Sequence, residues 1–188
     1  MKALLLLLLS VLAAPIYGAD YSLQLTPDNT KVEWTLTDVL HTVRGTFQVK
    51  RGSLRLDSDS GKAGGEVVVD VASGASGSGA RDNRMHKNIL ESALFPEAVF
   101  VPDRVEGKLA PSGASRVKVH GLMGIHGGHH EVIMDVCANV AQGRMTAEIS
   151  FDVPYVDWGL KDPSTLFLKV DKKVHVTMHV NAMLQGVS

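Results

Sequence analysis

One pattern constrains this chain more than any other: apolar and polar residues alternate with a strict period of two through most of its length. Val32, Trp34 and Leu36 alternate with Glu33, Thr35 and Thr37. Met145, Ala147, Ile149, Phe151 and Val153 alternate with Thr146, Glu148, Ser150 and Asp152, and Val174, Val176, Met178 and Val180 with Lys173, His175, Thr177 and His179. Successive side chains on a strand point to opposite faces, so each segment reads as a strand with one dry and one wet face. Many such strands with almost no helix leave two economical solutions, a sandwich or a closed barrel, and only the barrel hides every edge. The expectation is an all-β protein: an antiparallel barrel of about eight strands, with one short helix and a long loop near its ends.

The first nineteen residues stand apart. Met1-Lys2 gives a positive start, and Ala3 to Ala14 is an apolar run containing six consecutive leucines, Leu4 to Leu9. It is shorter than the ~20 residues of a membrane span and is followed by Gly18 and Ala19, so it reads as a secretory signal cut after one of these. Residues 20–188 then form a single domain. Removing Lys2 leaves 18 basic residues against 20 acidic ones, and no basic stripe interleaved with aromatics is present. Nucleic acid is a poor partner for such a surface, and no stable membrane anchor is expected. The single cysteine, Cys137, excludes an internal disulfide and falls on the polar face of its strand.

Along the chain, Tyr21 to Leu25, Lys31 to Asp38 and Thr42 to Asp57 read as strands, with Gly45 and Gly52 marking bulges or bends. Glu66 to Val71 follows. Ser73 to Gly79 (SGASGSG) reads as a flexible connector. Arg81 to Ser92 reads as the one helix, capped by Asp82, with Met85 and Ile89 one turn apart and an end forced at Phe95-Pro96. Further strands run over Ala98–Val105, Arg116–His126, Glu131–Val136, Gly143–Val153, Leu166–Val170 and Lys173–Leu184, with a hairpin at Gly127-Gly128 and an aromatic loop from Pro154 to Thr165.

Read together, these segments resemble the YceI-like family of secreted bacterial proteins. The resemblance is carried by Val32-Glu33-Trp34, the stretch Leu40-His41-Thr42-Val43-Arg44-Gly45-Thr46-Phe47, the Ser-Gly segment leading into Arg81-Asp82, Leu94-Phe95-Pro96, Trp158-Gly159 and the closing strands from Leu166. It covers essentially the whole of residues 20–188. It implies an extended lipocalin-like barrel with an elongated apolar cavity for an isoprenoid or similar long-chain lipid, no catalytic residues, and a homodimer as a candidate state. The extra histidines and the loop Val153 to Lys161 mark a variant subgroup.

The residues expected to face inward are Trp34, Leu36, Val43, Phe47, Val69, Phe100, Val119, Met134, Ile149 and Phe151, none of them charged. They form the candidate ligand-binding set, with Tyr155 and Trp158 in the aromatic loop and Arg81 at the helix start. A dry cavity rejects polar solutes, because an unpartnered buried polar group costs several kcal/mol, whereas a hydrocarbon tail gains about 0.8 kcal/mol per buried methylene. The helix and the aromatic loop are candidate gates. Arg81 either pairs with a neighbouring carboxylate or meets a phosphate or carboxylate head group, to which its forked donors are suited.

Two other readings stand beside the lipid carrier. His126, His129 and His130 surround one hairpin next to Glu131, and imidazole binds zinc, copper or nickel, so a metal site or a metal-dependent hydrolase is the enzymatic alternative. No recognised zinc spacing is present, and the serines of the Ser-Gly segment lack a nucleophile elbow. His120, His175 and His179 fall on polar strand faces and read as solvated or hydrogen-bonded surface residues. A barrel filled by its own side chains is the third reading. A leader implies export, and a lipid shuttle favours the periplasm over the medium.

Overall fold

The computed structural model describes residues 20–38, 41–166 and 168–187. The leader expected over residues 1–19 lies outside them. Among the described residues, nine strands and one helix follow in the order β1 (Asp20–Leu25), β2 (Thr30–Thr37), β3 (Thr42–Asp57), β4 (Ala63–Ala75), α1 (Gly79–Asn88), β5 (Glu97–Glu106), β6 (Gly113–Ile125), β7 (Gly128–Ala141), β8 (Arg144–Val153) and β9 (Val174–Val187). Neighbouring strands from β2 to β9 pair antiparallel, and β2 pairs with β9 to close the ring. The result is an eight-stranded barrel with one extra strand. β1 pairs with the far halves of both β3 and β9, through Leu23↔Leu54 and Leu23↔Leu184, while β2 pairs with their near halves. β1 and β2 therefore stand end to end in one slot of the wall, joined by a turn in which the Asn29 side chain accepts from the Thr26 N–H at 2.9 Å.

Local sequence explains the corners. The β6–β7 and β7–β8 hairpins turn through two residues with positive φ, His126-Gly127 (50° and 77°) and Gln142-Gly143 (52° and 73°). That is the backbone twist a two-residue hairpin needs. The first turn thus sits one residue earlier than expected. In the β3–β4 turn the Asp57 carboxylate accepts from the backbone N–H groups of Asp59 and Ser60 at 2.9 and 3.1 Å. The Ser60 hydroxyl above all, together with these bonds, holds its pKa below the usual carboxylate range. A register shift between Val49 and Arg51 places Gly52 at a bulge, so the inward set on β3 passes from Phe47 and Val49 to Gly52 and Leu54.

Several expectations are corrected. The Ser-Gly segment is not all connector: Ser73, Gly74 and Ala75 complete β4, and the Ser73 hydroxyl accepts from the Gln48 N–H at 2.8 Å. α1 starts at Gly79 and ends at Asn88, earlier at both ends than Arg81–Ser92. Asp82 is not its cap. It lies in the first turn and accepts from the Ser76 backbone N–H and hydroxyl instead. Among the described residues of the expected strand Leu166–Val170 no strand is formed; an isolated bridge, Asp38↔Val170, ties this stretch to the sheet. His120 is hydrogen-bonded but buried rather than at the surface, held between Arg104 (2.9 Å) and Glu106 (3.2 Å) on the adjacent strand. Cys137 is a free, exposed thiol on the outer wall. Among the described residues, no helix is long and apolar enough to cross a membrane.

Candidate functional site

The alternation makes the barrel interior apolar, but it does not fill it. Inward residues fall into two groups. Toward the end that holds the β7–β8 hairpin, Val117, Ala138, Val140 and Ala182 are buried and packed, and none of them lines the cavity. Higher up, Val43, Phe47, Val69, Val119, Ile149 and Val176 point inward yet remain only half-buried, because they face a void. The void is a single cavity of about 800 Å³ reaching from Leu25, Leu54 and Met145 to the opposite end of the barrel. Strand direction places α1, the β2–β3 connection, the β6–β7 hairpin and loop 154–173 together at that end, which is the mouth.

Glycines on neighbouring strands keep the bore open by letting aromatic rings lie flat against the wall. A Cβ at Gly45 would sit 2.3 Å from Cζ2 of Trp34, its direct cross-strand partner. A Cβ at Gly74 would sit 2.5 Å from Cε1 of Phe47, and one at Gly121 2.7 Å from Cζ of Phe100. Real Cβ atoms do not approach so closely, so each pair requires its glycine. The Trp34 indole Nε1 is buried with no hydrogen-bond partner, so this group is anchored by packing alone.

All ten residues read as inward-facing line the cavity, and Tyr155, Trp158 and Arg81 line its mouth. The loop behind the mouth is fixed by Tyr155, whose buried hydroxyl donates to the Asp171 carbonyl at 2.8 Å. Burial, with Asp162 and Asp171 nearby, pushes its pKa up to about 12. Asp162 is held below the usual carboxylate range by the Ser164 hydroxyl and N–H. Across the opening, Arg84 donates to the Pro163 carbonyl at 3.1 Å, which ties α1 to this loop. His86 bridges the Gly74 carbonyl (2.8 Å) and the Ser92 hydroxyl (3.1 Å), which ties α1 to β4. Arg81 binds Ser76 rather than a carboxylate. Arg84, Ser78, Asp38 and His41 also border the mouth and had no signal in the alternation, because they lie outside the strands or at their very ends.

The three hairpin histidines do not converge. His126 is hydrogen-bonded to Glu91 at 2.8 Å with its ring against Phe95. His129 is exposed. His130 points the other way and stacks on Trp158, with centroids 4.4 Å apart and planes at 2°. Among the described residues no group of three or more His, Cys, Asp or Glu is arranged to hold a metal ion.

A hollow, one-ended, eight-stranded barrel with these elements at its mouth invites comparison with known proteins. The family model for the YceI-like domain matches residues 23–182. The chain belongs to the YceI-like family. Solved structures with the same fold include Burkholderia cenocepacia BcnA (17% identity, TM-score 0.66, covering 82% of this chain and 96% of that one). A polyisoprenoid-binding domain from Saccharophagus degradans implicated in plant cell wall breakdown aligns at 14% identity and TM-score 0.62, covering 88% and 98%. The Campylobacter jejuni YceI protein aligns at 16% and 0.57, covering 79% and 87%. No curated protein matches the sequence. At these identities the structural likeness concerns the fold. Within this YceI-like barrel, the His130–Trp158 stack is one feature that sequence reasoning missed.

Proposed function

We propose that the protein is an exported, non-enzymatic carrier that takes one long-chain amphiphile, isoprenoid or fatty-acid-like, tail first into the barrel. The observation that carries this reading is the apolar cavity of about 800 Å³, open at one end. Its size lies within the ~300–1,000 Å³ range of small-molecule sites. Each methylene moved from water into it gains about 0.8 kcal/mol, so a 16-carbon tail gains on the order of 13 kcal/mol before the costs of ordering and association. The Saccharophagus neighbour, described as polyisoprenoid-binding, supports the same ligand class. The leader read over residues 1–19 supports export, and an aqueous space between two membranes gives such a carrier its use.

The test is mass spectrometry of an organic extract of the purified protein, run beside elemental analysis. A long-chain lipid near one per chain is the expected result. A clean extract, together with failure to take up any prenyl or alkyl probe, ends the carrier reading. A stoichiometric metal without lipid favours the hydrolase instead.

A further inference from the structure

We infer that the cavity mouth holds a head-group site for an oxyanion, a phosphate above all, formed by Arg81 and Arg84 of α1. The inference rests on the carrier reading and specifies the chemical class of its ligand. The two residues are three apart, hence neighbours on one helical face, and both border the cavity. Met85 and Ile89 continue that face toward the helix C-terminus and border the cavity too. The face is thus cationic in its first half and apolar in its second, which matches the polarity of an anionic amphiphile.

The guanidinium groups are positioned without being neutralised. Arg81 Nε donates to the Ser76 hydroxyl at 2.7 Å, and Nη2 donates to the Ser76 carbonyl at 3.1 Å. Arg84 Nη2 donates to the Pro163 carbonyl at 3.1 Å. Asp82, the acidic residue of the first turn, is occupied by the N–H and hydroxyl of Ser76. Asp38, which borders the cavity, accepts from the His41 N–H at 2.9 Å and lies 3.3 Å from His41 Nδ1, and Asp162, next to Pro163, accepts from the Ser164 N–H at 2.8 Å. Neither arginine has a carboxylate within 4 Å among the described residues, whereas Arg51 on the outer wall meets both Glu66 and Glu97. Each guanidinium carries five N–H donors, so these bonds leave three on Arg81 and four on Arg84. Two fixed cations with spare forked donors, beside an apolar cavity, suit a doubly charged phosphate better than a single carboxylate.

The test compares two probes with the same 20-carbon prenyl tail, the alcohol and the monophosphate. Binding of both is measured for the native protein and for Arg81→Gln, Arg84→Gln and Arg81→Lys. In the native protein the phosphate should bind at least tenfold tighter than the alcohol. Each glutamine variant should cut that preference severalfold, and Arg81→Lys should retain part of it. Thermal unfolding reports that each variant is folded, and the alcohol's affinity should fall far less than the phosphate's; should Arg81→Gln fail to fold, Arg84→Gln decides. Alcohol binding without any preference for phosphate, or a preference that survives both glutamine substitutions, overturns the head-group site and leaves the carrier standing. Inorganic phosphate binding as tightly as the prenyl phosphate overturns it in favour of a free-anion site. Binding of neither probe overturns the carrier reading itself.

Discussion

Placing a tryptophan halfway down the bore should cut the dependence of affinity on tail length. Ile149 points inward from the middle of the cavity-lining stretch of β8, which runs from Met145 to Val153, and is only half-buried. Four residues of strand lie above it and four below. At ~3.3 Å per residue and a barrel tilt near 40°, each half corresponds to about 10 Å of axial depth. An extended hydrocarbon advances about 1.3 Å per carbon, from single bonds of ~1.5 Å at tetrahedral angles, so each half accommodates roughly eight carbons. In the native protein, affinity should rise by about 0.8 kcal/mol per carbon up to ~16 carbons. In Ile149→Trp the indole fills the bore, and the rise should stop near eight. A 16-carbon tail then loses as much as ~6 kcal/mol, four orders of magnitude in Kd, while an eight-carbon tail is unaffected. Competition of n-alkyl carboxylates of increasing length against a fluorescent fatty probe measures the slope, and thermal unfolding confirms the fold. A folded variant whose slope continues unbroken to 16 carbons would refute the placement of the tail in the barrel.

Three further outcomes follow from the same geometry. Val49 is 0% exposed and Val176 borders the void; Val49→Ala should cost about 2 kcal/mol in urea unfolding and Val176→Ala clearly less, because that space is already empty. Gly45→Val should drive the Trp34 ring off the wall, weakening uptake of every probe and shifting Trp34 fluorescence, whereas Gly64→Val, where a Cβ meets nothing within 4 Å, should leave uptake unchanged. Tyr155 has a raised pKa of about 12, so its contribution to stability is complete below the ordinary tyrosine value of about 10 and is lost as pH rises through 12. A phenolate titration should show a late step coincident with loss of ligand, absent in Tyr155→Phe.

The ring of inward residues was legible because period two admits one assignment of faces once one face is apolar. That reasoning fails where the register shifts. The bulge at Val49–Arg51 brings Leu54 inward, and the shift between Pro102 and Arg104 sets Arg104 and Glu106 around His120, turning a residue on a polar face into a buried one. Proximity in sequence misled at the hairpin for a related reason. His129 and His130 are adjacent and therefore face opposite ways, while His126 sits in the turn and is claimed by Glu91. The start of α1 was hidden because Gly79 and Ala80 look like the linker before them. Arg84 is an exposed helix residue like many others until the fold carries it to the rim.

The packed end of the barrel has a consequence for traffic. With Val117, Ala138, Val140 and Ala182 stopping the bore, whatever enters must leave by the door it came through, and in reverse order. The polar end of a guest arrives last and departs first. For the carrier proposed above, a donor and a recipient would then take turns at the same rim, and handover would be a matter of meeting one and then the other, never of passing cargo straight through.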